Sequence, residues 1–220
     1  MSEQITRTIK LPLKKRFLVL VVNPAGIEFV RSLIKLGVEK QNIIIIFDRK
    51  RMVVEAIQLS DIKSIETDAN QFEDIISIAR TFDLNICCVF GWYAIFPKIF
   101  IDYFSGRIFN LHFGDLPLYR GAGAFSWQIL NDYNKIGAFA HQLTSKVDAG
   151  AIICHASSQV NTPNPYPIDY FNLANRLSKE LSQKFAKKLF AQDYLLSTEQ
   201  NEYLAEYYPK LTTINNGYLD

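Results

Sequence analysis

Residues 17–22 read Phe-Leu-Val-Leu-Val-Val, six apolar side chains in a row, three of them valine. A strand with one wet face alternates polar and apolar residues, so a run without alternation belongs to a strand covered on both faces. Similar runs recur at 43–47 and 86–90 and, shorter, at 108–111. All fall far short of the about 20 apolar residues that a membrane-spanning helix needs. Helical patterns lie between them. Ile27, Val30, Leu33 and Ile34 recur at helical spacing until Gly37, and Phe72, Ile75, Ile76 and Ala79 follow an opening at 68–71. Buried strands alternating with helices predict an α/β, Rossmann-like fold, a mostly parallel sheet flanked by helices.

The pattern changes after residue 122. A helix is expected over 124–130, then strands over 137–143 and 151–156, joined by a polar loop that ends at Asp148-Ala149-Gly150. From Asp169 a long amphipathic helix carries Tyr170, Leu173, Leu177, Leu181, Phe185 and Leu189 on one side. Lys179, Lys184, Lys187 and Lys188 read as its solvated face. The length of 220 residues suits one large α/β domain with an appendage. The expected division is a catalytic domain over 1–192 and a short C-terminal extension over 193–220. The aromatic and turn-rich stretches of that extension (Tyr207-Tyr208-Pro209, Asn215-Asn216-Gly217) suit packing on the domain rather than a loose tail.

Twenty-four Lys and Arg against 22 Asp and Glu leave +2, with no long run of one sign, so no nucleic-acid partner is expected. Residues 1–16 carry charge but no apolar signal core. Together with the short apolar runs, this predicts a cytoplasmic protein with no membrane partner. Of the three cysteines, Cys87 and Cys88 adjoin inside an apolar run, which suits reduced core thiols rather than a disulfide framework.

Ligands of open α/β sheets bind where the strands end, so polar residues just after apolar runs are the ones to inspect. Asn23-Pro24-Ala25-Gly26 holds that place after the 17–22 run. Its single glycine does not make the pyrophosphate cradle of a dinucleotide site. The end of the 108–111 run is more informative. Asn110 and His112 are two apart, so in an extended segment both leave the same face, while Leu111 and Phe113 face the other way. An imidazole exchanges a proton near neutral pH, and an amide N–H suits a developing oxyanion. Asp148 is the natural acid to orient the imidazole. The alternative is that Asn110 and His112 only satisfy backbone groups at a strand end. His141 and His155 read as structural residues of two paired strands; no third ligand is spaced to complete a site with them, so no metal is expected.

The stretch Phe109-Asn-Leu-His-Phe-Gly-Asp-Leu-Pro-Leu-Tyr-Arg-Gly-Ala-Gly123, followed by Val147-Asp148-Ala-Gly-Ala-Ile-Ile153, closely resembles the signature of the folate-dependent formyltransferases. The likeness is specific over about residues 85–155 and architectural beyond them. One departure is that a serine common in the family, two residues after the histidine, is Gly114 here. The resemblance implies that Asn110, His112 and Asp148 are catalytic. His112 would take the proton of an acceptor amine as it attacks the formyl carbon of N10-formyltetrahydrofolate, Asn110 would donate to the oxyanion, and Asp148 would orient His112. It also implies a folate pocket lined by Phe90, Gly91, Trp92 and Ile95, closed on the other side by Val147.

The acceptor is argued from what is missing. The glycine-rich phosphate loop of glycinamide ribonucleotide enzymes is not seen at residues 23–26. Too few residues remain for the C-terminal barrel of methionyl-tRNA enzymes. Among the family's branches this leaves the nucleotide-linked amino-sugar N-formyltransferases, with dTDP-4-amino-4,6-dideoxyglucose as the expected acceptor and a formamido sugar for surface polysaccharide (O-antigen of lipopolysaccharide) as product. Arg120 would pair with phosphate oxygens. Asn23, Tyr93 and Gly121 would complete the sugar-nucleotide site, and Trp127 is either a stacking surface or a core residue. A formyltetrahydrofolate hydrolase, a methionyl-tRNA-type formyltransferase and a non-catalytic nucleotide-binding module are the competing readings. A homodimer is compatible with the sequence.

Overall fold

The computed structural model describes residues 5–48 and 61–212. Among the described residues nine strands form one sheet: β1 (Thr6–Lys10), β2 (Phe17–Val21), β3 (Ile43–Asp48), β4 (Lys63–Thr67), β5 (Ile86–Phe90), β6 (Ile108–Phe113), β7 (Lys135–Gln142), β8 (Ile152–Gln159) and β9 (Tyr194–Thr198), in the order β1-β9-β8-β7-β6-β5-β2-β3-β4. The helices are α1 (Pro24–Lys35), α2 (Phe72–Thr81), α3 (Lys98–Tyr103), α4 (Ala124–Leu130) and α5 (Pro167–Ala191). Strands β6, β5, β2, β3 and β4 run parallel, the α/β sheet expected from the apolar runs. Strands β7, β8, β9 and β1 continue it by antiparallel pairing.

The all-apolar run of β2 explains why helices cover both faces. Successive side chains leave opposite faces of a strand. Phe17, Val19 and Val21 therefore enter one core with α1 and α5, while Leu18 and Leu20 enter a second core with α2 and α3. Phe29 of α1 and Phe185 of α5 stack with ring centroids 5.6 Å apart, and Ser182 bonds the Ala25 carbonyl at 3.0 Å, so the two helices form one layer. Each fully buried Phe or Leu contributes about 1.5–3 kcal/mol by leaving water, which makes this double core the main source of stability. Pro24 opens α1, where a missing N–H costs nothing.

Some boundaries differ from expectation. Helix α5 starts at Pro167, two residues before Asp169, because the Asp169 carboxylate accepts the Tyr166 N–H at 2.9 Å and caps the first turn. The hairpin strands β7 and β8 run beyond the apolar stretches, to Lys135 and Gln159. Strands β1 and β4 lie at the two edges of the sheet and are largely exposed, so neither carries an apolar run. β9 sits between β1 and β8, so the strands of the sheet run on past residue 192 to Thr198. Tyr208 packs as its composition suggested, stacked on Tyr119 at 4.7 Å. The Asn215-Asn216-Gly217 turn lies outside the described residues. Among the described residues no helix is long and apolar enough to cross a membrane.

Candidate active site

The loops after β5, β6 and β7 enclose a cavity of about 470 Å³ at the carboxyl ends of the central strands. Ligands of open α/β sheets bind there, and the volume suits a small molecule. Asn110 and His112 leave the same face of β6, as their spacing requires. Antiparallel pairing sets His141 of β7 directly opposite Asn110, and Phe139 opposite His112. The loop from β7 to β8 then returns Asp148 to both. Asp148 adopts a left-handed backbone (φ 49°), which a short polar side chain tolerates better than most.

Asp148 is the centre of the site. Its Oδ2 accepts the Gly121 N–H at 2.9 Å and lies 3.3 Å from His112 Nδ1. Its Oδ1 accepts an Asn110 N–H at 3.3 Å and lies 3.4 Å from His141 Nε2. Burial by itself pushes this carboxyl up, but the imidazoles of His112 and His141 and the N–H of Gly121 outweigh burial and hold it below the usual carboxylate range. His112 is 7% exposed. Burial pulls its imidazole below the ordinary value, against the upward pull of Asp148 and of the Tyr119 carbonyl. The site thus pairs an anionic carboxylate with an imidazole biased toward neutrality, the state a general base requires.

The turn at 119–121 clamps this pair. The Tyr119 carbonyl accepts from His112 Nε2 at 2.8 Å. Gly114 makes that approach possible: a Cβ there would lie 2.4 Å from the Tyr119 oxygen and 2.5 Å from His112 Nε2. Gly121 has φ +98°, and a Cβ on it would lie 2.3 Å from the Tyr208 carbonyl oxygen. That contact arises because the C-terminal segment docks on the turn. Arg120 N–H donates to Glu206 O at 2.9 Å and Tyr208 N–H to Arg120 O at 2.8 Å.

The cavity wall includes Gly91, Trp92, Tyr93 and Ile95 on one side and Gly121 and Val147 on the other. The Trp92 indole N–H bonds the Ala69 carbonyl at 3.0 Å, and the Tyr93 hydroxyl bonds buried Asp48 at 2.8 Å, so the loop after β5 is anchored to the segment after β4 and to the end of β3.

Three of the expected binding residues lie off the cavity wall. Phe90 is fully buried and packs on Phe29 at 5.0 Å, so it backs the pocket without lining it. The Arg120 guanidinium does not line the cavity and is already engaged. It donates to Gln200 Oε1 at 2.9 and 3.0 Å and to Glu202 at 2.7 and 3.2 Å. Gln200 in turn donates to the Asp148 and Gly150 carbonyls at 2.7 and 2.8 Å, so Arg120 braces the Asp148 loop from behind. Asn23 does not line the cavity either; its side chain sits behind Gly91, with its Oδ1 buried and unpartnered. Trp127 packs on Tyr208 and donates to Pro209 O at 3.0 Å.

Sequence reads His141 as a structural strand residue and does not point to the lysines on the cavity wall. His141 is 1% exposed and faces Asn110 and Asp148, a position that only the β6–β7 register reveals. Its supposed partner His155 stacks on Phe139 instead, 5.2 Å away. Among the described residues no group of three His, Cys, Asp or Glu could hold a metal ion. Among the described residues Lys146 and Lys210 are the lysines that line the cavity.

A family model described as formyl transferase matches residues 41–188. Methionyl-tRNA formyltransferase of Mycoplasma genitalium is 36% identical over 102 residues, 42% of this chain and 32% of that protein. GDP-perosamine N-formyltransferase of Brucella melitensis is 27% identical over 128 residues, 56% of this chain and 49% of that protein. The chain therefore spans from about a third to about half of the length of these two curated relatives. An N-formyltransferase from Helicobacter canadensis, solved with folinic acid and dTDP-3-aminofucose, shares the fold with a TM-score of 0.69 at 19% identity, over 89% of this chain and 71% of that one. Solved phosphoribosylglycinamide formyltransferases share it to a similar degree.

Proposed function

Since the chain belongs to the formyl transferase family, we propose that it moves a formyl group from N10-formyltetrahydrofolate to the amine of a nucleotide-linked amino sugar. The observation that carries this reading is the convergence of Asn110, His112 and Asp148 on one wall of the 470 Å³ cavity. The folate would lie against the anchored loop at 91–95. Trp92, whose indole N–H is already satisfied by Ala69, offers its ring as apolar wall there.

In the proposed reaction the acceptor nitrogen attacks the formyl carbon, and an Asn110 N–H donates to the carbonyl oxygen as it gains charge. The Nε2 proton of His112 is held by the Tyr119 carbonyl, so Nδ1 is the basic nitrogen. His112 takes the amine proton there, directly or through water. Asp148 Oδ2, 3.3 Å away, stabilises the imidazolium. His112 then returns the proton to the departing nitrogen of the folate as the carbon–nitrogen bond breaks. No atom is left over: the products are a formamide and tetrahydrofolate.

For the acceptor, dTDP-4-amino-4,6-dideoxyglucose is the first candidate. Support comes from the missing phosphate loop at Asn23-Pro24-Ala25-Gly26 and from the sugar N-formyltransferases among the similar proteins. With Arg120 engaged elsewhere, Lys146 and Lys210 are the cations for the pyrophosphate. The test is mass spectrometry of reactions containing N10-formyltetrahydrofolate with a panel of dTDP- and GDP-linked amino hexoses, glycinamide ribonucleotide or initiator methionyl-tRNA, and a no-acceptor control. A formylated sugar nucleotide supports the reading. Product on either of the other acceptors reassigns the substrate, folate consumption without an acceptor makes the protein a hydrolase, and binding without turnover makes it a nucleotide-binding module.

A further inference from the structure

The proposed chemistry leaves His141 unused, although it is buried at the heart of the site. Its Nδ1 lies 2.9 Å from the Gln142 carbonyl oxygen, which can only accept, so Nδ1 carries the proton. In the neutral imidazole the other nitrogen, Nε2, is then an acceptor. It faces Asn110 Nδ2 at 3.3 Å. Asp148 Oδ1 is a second acceptor at the same corner, 3.3 Å from Asn110 Nδ2 and 3.4 Å from His141 Nε2.

Those three atoms make a nearly equilateral triangle. Seen from the amide nitrogen, the two acceptors are close together, and the two N–H bonds of a planar amide diverge too widely to take one each. A single N–H is therefore shared between His141 and Asp148, and the second is left over. Were the amide turned around, its oxygen would face a carboxylate oxygen and an imidazole lone pair with no donor between them. Asp148 alone favours the nitrogen-first orientation. His141 closes the remaining side, because its tautomer is locked from the backbone.

We infer that His141 is a positioning residue, which holds the Asn110 amide nitrogen-first so that its second N–H stays available to the formyl oxygen. This rests on the formyl-transfer reading for its consequence, but its geometry stands apart from it. Two measurements test them separately. In protein labelled with 15N-histidine, nuclear magnetic resonance at neutral pH is expected to show His141 protonated at Nδ1 and bare at Nε2. A proton on Nε2 overturns the inference whatever the enzyme does. In kinetics with the acceptor found above, His141→Leu is expected to lower kcat 10- to 100-fold with each KM within about threefold of wild type, since the lost interaction acts on the developing oxyanion. His141→Gln, which restores an acceptor oxygen, is expected to recover most of kcat. Equal losses in both variants at unchanged thermal stability, or wild-type kcat in His141→Leu, overturn the inference. An inactive wild-type protein overturns the formyl-transfer reading instead, and the tautomer measurement still decides the geometry.

Discussion

His112 Nε2 lies 2.8 Å from the carbonyl oxygen of Tyr119, so the proton of the neutral imidazole is on Nε2 and its basic nitrogen is Nδ1. That nitrogen is 3.3 Å from Asp148 Oδ2. Asp148 therefore does not hold an N–H of the neutral imidazole; in the proposed reaction it receives one once His112 has taken the amine proton. The same carboxylate is fixed beforehand by the Gly121 N–H, one residue from Arg120 and two from Tyr119, so a single turn sets both members of the pair.

The pH dependence follows from the two shifts. Burial lowers His112 from its ordinary 6.5, so kcat/KM is expected to decline on the acid side with a midpoint below that value. Asp148, depressed from 3.8, stays ionised throughout that range. Its contribution to stability is complete above the unfolded value and is lost only as pH falls through the depressed one. Asp148→Asn is expected to lose about 10²- to 10⁴-fold in kcat and to show a shallower acid-unfolding profile. A pH–rate midpoint above 6.5 would contradict the assignment of His112 as the buried base.

Gly114 is a steric requirement in this chain. Gly114→Ser places a Cβ 2.4 Å from Tyr119 O and 2.5 Å from His112 Nε2, so either the imidazole or the turn has to move. The expected result is a fall in kcat of more than about tenfold with the overall fold kept, since loss of a positioned proton acceptor costs two or more orders of magnitude. Circular dichroism and single-turnover rates check it. An unchanged rate would mean that the turn yields without disturbing the base.

Arg120 separates a structural from a ligand role. Its guanidinium satisfies the buried side-chain Oε1 of Gln200, while its other partner Glu202 is 60% exposed and adds less. Arg120→Met is expected to cost about 1–3 kcal/mol through the orphaned Gln200. Thermal unfolding measures that loss, which is expected to exceed any change in KM for the sugar nucleotide. A large rise in that KM at unchanged stability would restore Arg120 as a phosphate ligand.

The loop after β5 depends on one hydroxyl. Tyr93→Phe removes the 2.8 Å bond to Asp48, a carboxylate with no solvent exposure that also accepts the Ala69 N–H. A hydrogen bond to a carboxylate contributes about 1.5–3 kcal/mol, so KM for the folate is expected to rise roughly 10- to 150-fold with kcat nearly unchanged. Equal effects on the KM of both substrates would show that the loop serves the whole cavity.

What the amino-acid sequence determined by itself is what repeats at short range. The uninterrupted apolar runs of β2, β3 and β5 fixed a sheet covered on both faces, because a side chain is apolar on both sides of a strand only if both sides are dry. The two-residue spacing of Asn110 and His112 fixed their common face, and the motif around them pointed to Asp148. Tertiary structure decided the rest. Polar edge strands such as β1 and β4 owe their existence to a neighbour's hydrogen bonds rather than to their own side chains. His141 enters the site through strand register, and Arg120 leaves it because Gln200 and Glu202, some 80 residues further along, reach its guanidinium first. A residue's partners across such a gap are set by which surfaces the fold brings together, and side-chain chemistry alone carries no record of that choice.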